Sequence, residues 1–138
     1  MAATWLYRVA SIMFLLFALG HTYGFLSFRP SSAEGRAVYQ SMNDVHLVVS
    51  GRSYTYGGFY RGFGLSATGS MVFWAFLCWY LGDLARANPA AIGTLGWAFF
   101  AVQVAGAVLS FLYFGPPAMV LSLLVALLTG LAAWLGGS

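Results

Sequence analysis

Long apolar runs alternate with short polar stretches along the chain, and this pattern predicts four membrane-spanning helices. The four runs cover about residues 5–25, 59–84, 91–114 and 118–135. Each run is long enough to cross a hydrocarbon core of about 30 Å, because an α-helix rises about 1.5 Å per residue. The expected fold class is therefore all-α: a polytopic membrane protein whose 138 residues form a single four-span transmembrane domain.

A further helix is predicted between the first and second spans. A Ser-x-x-Glu capping box beginning at Ser31 predicts a helix start near Ser32. Apolar residues then recur at helical spacing: Val38, Met42, Val45 and Val49. Polar residues recur on an adjacent face: Tyr39, Asn43, His46 and Ser50. Gly51 suits a helix C-cap. We therefore predict an amphipathic interfacial helix over about residues 32–50, then a Gly- and Tyr-rich turn over residues 52–58.

An even number of spans places both chain termini on the same side of the membrane. The aromatic residues agree with this arrangement. Four of the five tryptophans fall near the terminal side of their helices, and six of the eight tyrosines fall toward the other side: Trp5, Trp79, Trp97 and Trp134, and Tyr23, Tyr39, Tyr54, Tyr56, Tyr60 and Tyr113. The orientation is open. Counting the arginines on each side puts the polar segment, the stretch between the first and second spans, in the cytoplasm. The two sides carry equal numbers of arginines if Arg52 and Arg61 belong to a site.

The composition narrows the class of protein further. The chain is 61% hydrophobic and only 7% charged, whereas a soluble domain carries about 25% charged residues. The net charge of +3 is scattered and does not form the basic patch that nucleic-acid binding requires. Cys78 is the only cysteine, which excludes an intrachain disulfide or a paired-thiol enzyme. The chain is rich in Arg, Gly and Ala and has no lysine, a composition typical of a bacterial protein. We therefore expect it to lie in a bacterial inner membrane.

Most side chains that could carry chemistry lie in the polar segment and at the start of the second span. His46 could act as a general acid or base, because histidine exchanges protons near neutral pH. Asn43, three residues earlier, shares its predicted helix face and could bind a substrate. Asp44 points to a different side of that helix, so we expect it to pair with Arg61 or Arg52. The alternative is that these residues form only the solvated face of an interfacial helix.

The candidate site residues Arg61 and His21 lie inside the predicted spans. Arg61 cannot lose its charge, so it needs an anionic or carbonyl partner, and the adjacent Gly62 and Gly64 leave room for a ligand. His21 lies about one turn from the end of the first span, at a depth where ionisable groups are usually functional. We predict that Arg61 orders a site to which His21 contributes. The structural alternatives are that Arg61 reaches lipid phosphate and that His21 bonds a backbone carbonyl or a tyrosine.

Three further residues are candidates for substrate binding: Tyr56, Tyr60 and Gln103. The tyrosines could donate hydrogen bonds to a carbonyl or phosphate, or form an interfacial aromatic belt. Gln103 could contact the substrate or join two helices. We predict no cofactor and no metal. Two histidines suggest a bis-His haem, but they are not both mid-span on facing helices, and a third metal ligand would have to be Asp44 at a poor angle.

Three stretches resemble a family of small bacterial four-helix membrane proteins: Gly20-His21-Thr22, the segment from Met42 to His46, and Tyr56 to Leu65. That family has no established activity. The plan is also similar, more loosely, to DoxX-like proteins and to sterol-isomerase-related membrane domains, which place acid/base groups in a bundle pocket open to lipid. The chain lacks the intramembrane glutamates of the latter, so the resemblance implies only a lipid-accessible pocket.

Two hypotheses about function follow. The first is an acid/base enzyme, an isomerase, cyclase or epoxide-opening type, acting on an apolar lipid-like or isoprenoid substrate within membrane lipid. The second is a non-enzymatic accessory or structural subunit of a membrane complex. In that case two stripes of small residues would pack against a partner or a second copy: Gly62, Ser66 and Ser70, and Ser122, Ala126 and Gly130.

Overall fold

The computed structural model describes residues 1–136, which are almost entirely helical. Four helices are long and apolar enough to cross a membrane: α1 (Ala2–Ser27), α3 (Tyr56–Ala87), α4 (Gly93–Tyr113) and α5 (Pro116–Gly136). Between α1 and α3 lie α2 (Ala33–Asp44) and the strands β1 (His46–Val49) and β2 (Arg52–Thr55). A 3-10 turn at Pro89–Ala91 precedes α4. The predicted fold class is confirmed, with four candidate spans and a helix between the first and second.

The long helices expose most of their apolar side chains. Only 17–28% of the most apolar window of each helix is buried inside the protein. Apolar surface on this scale is unfavourable in water and favourable in lipid. The four helices therefore have the surface of an integral membrane protein.

The chain divides into two compact units, one formed by residues 1–17 with the chain from residue 71 onward, the other by residues 18–70. In the first unit, α1 and α3 run antiparallel. The Ser11 hydroxyl donates to the Ala75 carbonyl at 2.7 Å, and Arg8 pairs with Asp83 at 2.9 Å. The single-domain organisation remains a prediction.

The first unit also contains the antiparallel pair of α4 and α5. The hydroxyls of Ser110 and Ser122 are 2.9 Å apart near one end of the pair. Toward the other end, Gly130 lies against the Phe100 ring, and a Cβ added at Gly130 would be 2.7 Å from the nearest ring carbon. Small residues at these contacts let the two backbones approach closely, as in other membrane helix pairs.

In the second unit, the helix predicted over residues 32–50 is shorter than the pattern indicated. It begins as predicted, because the Ser32 hydroxyl accepts a hydrogen bond from the Gly35 N–H at 2.9 Å. It ends at Asp44, because the backbone of the next residue, Val45, is extended, with φ −79° and ψ 123°. Val45 and Val49, which the pattern assigned to the apolar face of this helix, therefore lie outside it.

The residues after α2 form a β-hairpin, which corrects the predicted helix end and Gly/Tyr turn. β1 and β2 pair antiparallel, with His46 opposite Thr55 and Val49 opposite Arg52. The two turn residues, Ser50 at φ 51° and Gly51 at φ 77°, both occupy the left-handed region, as type I′ hairpin turns require. Gly51 therefore closes a hairpin and does not cap a helix.

The hairpin leads directly into α3. The Thr55 hydroxyl accepts a hydrogen bond from the Gly58 N–H at 3.0 Å, which is an N-cap interaction. As a result α3 begins at Tyr56 instead of about residue 59, and it ends at Ala87 instead of about residue 84. The residues predicted as a turn over 52–58 are thus a strand and the first helical turn.

Candidate binding pocket

A polar pocket of about 260 Å³ lies in the second unit, between the chain end of α1, the middle of α2 and the first turns of α3. Its lining combines two arginines, two tyrosines and two apolar side chains: Arg29, Arg61, Tyr39, Tyr60, Phe25 and Leu26. Hydrogen-bond donors therefore stand beside apolar carbon. Such a lining suits a ligand in which a polar group is attached to an apolar one.

Arg61 is held at the pocket by α2. Its Nη2 donates to Oδ1 of Asn43 at 3.2 Å, and Nδ2 of Asn43 donates to the Tyr39 carbonyl at 2.7 Å. The second bond fixes which way the amide faces, so that Oδ1 accepts from Arg61. Gly57 leaves the room for this arrangement, because an added Cβ there would lie 2.5 Å from the same oxygen.

Arg29 is held by backbone carbonyls at the end of α1. Its Nη1 donates to the Phe28 carbonyl at 2.8 Å and to the Leu26 carbonyl at 3.4 Å. Among residues 1–136, the ion pairs are those of Arg8 and Arg86 with Asp83. Both pocket arginines are therefore hydrogen bonded only to neutral oxygens, and the pocket carries two uncompensated positive charges.

Phe25 forms the apolar wall and is fixed by close packing. Its ring stacks on His21 at 5.7 Å between centroids and packs against Tyr60 at 5.1 Å. The ring also lies directly over Gly64, where an added Cβ would overlap it. The wall therefore depends on the absence of a side chain at Gly64.

His21 joins α1 to α3 within the second unit. Its Nε2 donates to the Gly64 carbonyl at 3.1 Å. One residue on, the hydroxyls of Thr22 and Thr68 are 2.9 Å apart. This is the backbone-carbonyl contact that the sequence left as the structural alternative for His21. A catalytic role of His21 stays a prediction.

His46 lies on β1 and not on α2, so the predicted helix face shared by Asn43 and His46 is wrong. The chain becomes extended at Val45, and the helical period does not continue beyond Asp44. The His46 ring is exposed, and its Nδ1 donates to the Asp44 carbonyl at 2.8 Å. Its acid/base role stays a prediction.

The predicted pair of Asp44 and Arg61 is also wrong. Arg61 donates to the neighbouring residue, Asn43, and Asp44 is an exposed residue at the end of α2. Successive helical residues differ in direction by about 100°, since 3.6 residues make one turn. The side of α2 that meets α3 therefore presents the amide and not the carboxylate.

The remaining predicted binding residues have different surroundings. Tyr60 lines the pocket, as does Arg61. Tyr56 is the exposed first residue of α3 and is not part of that lining. Gln103 is buried on α4 in the first unit, and its Nε2 has no hydrogen-bond partner among the described residues. The pocket thus contains only part of the predicted set.

Two lining residues, Arg29 and Tyr39, were not among the sequence candidates. Arg29 is the first charged residue after the apolar run of α1, which is where a cation at a membrane surface is expected. Tyr39 precedes Asn43 by four residues and so shares its helix face. Both signals were present, but neither identifies a pocket without the position of α3.

Two other depressions lack this combination of groups. A shallow groove of about 290 Å³ is lined by Tyr54 of β2 and by five residues from the first turns of α3: Gly58, Phe59, Gly62, Phe63 and Ser66. A larger groove of about 570 Å³ between α4 and α5 has an entirely apolar lining that includes Phe100, Val108 and Leu127. In the described part of the chain, no three His, Cys, Asp or Glu side chains lie close enough together to hold a metal ion.

The fold and the pocket define the class of protein: a helical membrane protein with four candidate spans and a polar pocket at the ends of two of them. A scan against protein-family models, a search of curated proteins and a search of solved structures each found no match. The resemblance to small bacterial four-helix proteins, and the looser one to DoxX-like and sterol-isomerase-related domains, stays a prediction.

Proposed function

We propose that the protein is an integral membrane protein that binds an amphipathic, lipid-like molecule in the pocket between α1, α2 and α3. One observation carries this proposal: arginine and tyrosine side chains share a lining of about 260 Å³ with Phe25 and Leu26. Drug-sized ligands fill about 300–1,000 Å³. The pocket therefore suits the polar head of a molecule whose apolar part extends along the exposed surface of α1.

The fixed side chains of the pocket support binding of a defined ligand. Asn43 holds Arg61, and Phe25 is packed between His21 and Tyr60. A site whose groups are already oriented loses less side-chain entropy when a ligand binds. By contrast, an arginine that only reaches toward bulk lipid needs no such restraint.

Acid/base catalysis would be a separate step that acts on the bound molecule, and it remains a hypothesis. Neither His21 nor His46 is among the residues that line the pocket in the described chain. Isomerisation, cyclisation or epoxide opening would need one of these imidazoles to reach the ligand. Binding is therefore the function that the geometry supports best.

The proposal is tested by native mass spectrometry of the protein purified in a non-ionic detergent. We expect one amphipathic molecule to remain bound. Leu26→Trp should remove it by filling the pocket, whereas Val102→Trp, at an exposed position of α4 that lies outside the lining and is not part of α1, should retain it. Equal retention by both variants would contradict the proposal.

The accessory-subunit hypothesis is favoured by a different observation. The groove on α3 has open space above Gly62, where an added Cβ would meet nothing within 4 Å. Such a surface accommodates a second helix, from another protein or from a second copy. Gly62→Phe should then abolish a cross-linked complex in native membranes, while leaving ligand retention in the pocket unchanged.

We also propose that both termini lie on the same side of a bacterial inner membrane. The number of candidate spans is even. The absence of lysine with abundant Arg, Gly and Ala is the compositional support for a bacterial source. Labelling of single cysteines with a membrane-impermeant reagent tests the helix crossings on which this shared side depends.

A further inference from the structure

The two pocket arginines offer more hydrogen-bond donors than the protein uses. A guanidinium has five N–H donors. Arg61 uses one nitrogen to donate to Asn43, and Arg29 uses one to donate to two backbone carbonyls. The side-chain hydroxyls of Tyr39 and Tyr60 make no hydrogen bond to another described residue. The pocket therefore presents several oriented donors and no carboxylate.

The charge of the lining selects the kind of head group. Two guanidinium ions without counter-charges match the charge of a phosphate monoester, which is about −1.5 to −2 at pH 7. A carboxylate, with a single charge, would leave one guanidinium uncompensated. Planar guanidinium groups also bind phosphate oxygens in a bidentate manner, and these charge-assisted bonds are stronger than neutral ones.

We infer that the pocket recognises an amphiphile whose head group is a phosphate monoester, held between Arg29 and Arg61. This inference rests on the proposed function, and it adds the chemical class of the ligand. Tyr39 and Tyr60 donate further hydrogen bonds to the phosphate, and Phe25 contacts the first carbons of the chain. Asn43 is a positioning residue, because it orients Arg61 without lining the pocket itself.

The ligand class is tested by titrating the full-length protein in a non-ionic detergent and counting bound molecules by native mass spectrometry. The four probes are dodecyl phosphate, dodecanoate, the neutral 1-dodecylglycerol and inorganic phosphate. We expect dodecyl phosphate to bind one-to-one, at least about tenfold more tightly than the other three. A tenfold ratio corresponds to about 1.4 kcal/mol. Dodecyl phosphate should also raise the unfolding temperature of the wild-type protein.

Charge variants separate a specific site from general attraction. Arg29→Gln and Arg61→Gln should each weaken dodecyl phosphate binding at least about tenfold, which is about 1.4 kcal/mol. Arg61→Lys keeps the charge but loses the planar fork, and it should also bind more weakly than the wild type. Arg52→Gln removes an exposed arginine of the hairpin that is outside the lining, and it should change binding less than threefold.

Other outcomes overturn the inference in distinguishable ways. If the neutral probe binds as tightly as dodecyl phosphate and Leu26→Trp abolishes both, the amphiphile pocket stands and the phosphate assignment fails. If no probe with a chain binds, the proposed function fails as well. If inorganic phosphate binds as tightly as dodecyl phosphate, the site takes a free anion. If Arg52→Gln weakens binding as much as Arg61→Gln, the attraction is a property of the whole surface.

Discussion

Tyr7 is a fully buried side chain whose hydroxyl has no hydrogen-bond partner among residues 1–136. A buried polar group without a partner costs about 1–3 kcal/mol. We predict that Tyr7→Phe raises the free energy of unfolding by up to this amount, because the ring packing is kept and the unmet hydroxyl is removed. Thermal unfolding in detergent measures the change. Tyr23→Phe, at a side chain that is 77% exposed, is the control and should have no effect. A lower unfolding temperature for Tyr7→Phe would show that the hydroxyl is satisfied.

Gly57 is a buried residue of α3 at which any side chain would displace Asn43. We predict that Gly57→Ala destabilises the protein by about 1–3 kcal/mol, the usual cost of overpacking. It should also weaken ligand retention, because Asn43 holds Arg61. Gly62→Ala is the matched control on the same helix, since an added Cβ there meets nothing within 4 Å. Alanine is the better helix former, so the control should be neutral or stabilising. Equal destabilisation by the two variants would refute the packing argument.

At the residue scale, the sequence identified Arg61 and Asn43 but assigned their partners wrongly. Arg61, a charged side chain near the start of a span, has a hydrogen-bond partner, as expected. The choice between Asn43 and Asp44 depends on the rotation of α2 about its own axis. That rotation depends on how closely α3 and Phe25 can pack at Gly57 and Gly64. The periodicity of a single segment carries no information about these contacts.

At the scale of elements, the hairpin depends on two left-handed residues. Gly51 has φ 77°, a conformation that costs a residue with a side chain about 1–2 kcal/mol. We predict that Gly51→Ala increases the rate of amide hydrogen exchange in residues 46–55 by roughly 5–30-fold, the factor that corresponds to this energy. Hydrogen exchange with mass spectrometry measures it. Ser53→Ala changes an exposed strand residue outside the turn, and exchange there should stay as in the wild type. A similar effect of both changes would contradict the turn assignment.

The helix over residues 32–50 was predicted too long because two periods coincide in this segment. Val38, Met42, Val45 and Val49 fit a helical stripe, yet residues 45, 47 and 49 also alternate as in a strand. Short runs that contain β-branched or aromatic residues, Val48-Val49 before the Ser-Gly pair and Tyr54-Thr55 after it, are a hairpin signal that could have identified the turn. The four long helices carried no such ambiguity, since runs of more than 18 apolar residues have no alternative structure in a membrane.

At the scale of the whole molecule, four helix ends of the first unit lie together. Near the start of α1, the Thr4 carbonyl lies 3.2 Å from the position of a Cβ added at Gly82, close to the end of α3. Near the end of α5, a Cβ added at Gly136 would lie 3.3 Å from Ile92, which precedes α4. The Gly115 connection between α4 and α5 belongs to the opposite end of that pair, next to the Ser110–Ser122 contact. Within this unit, contacts at both ends agree with antiparallel spans.

This arrangement makes the proposed membrane topology testable with single cysteines. The natural Cys78 is fully buried, so a membrane-impermeant maleimide should leave the parent protein unlabelled, which is the control. Ala2→Cys and Asn88→Cys should be labelled from one side of sealed vesicles and Gly115→Cys only from the other, because α4 crosses the membrane between the second and third positions. Vesicles of inverted orientation should reverse the pattern. Labelling of Ala2→Cys and Gly115→Cys from the same side would mean that α1, α3 or α4 does not cross, and the shared side of the termini would then be wrong.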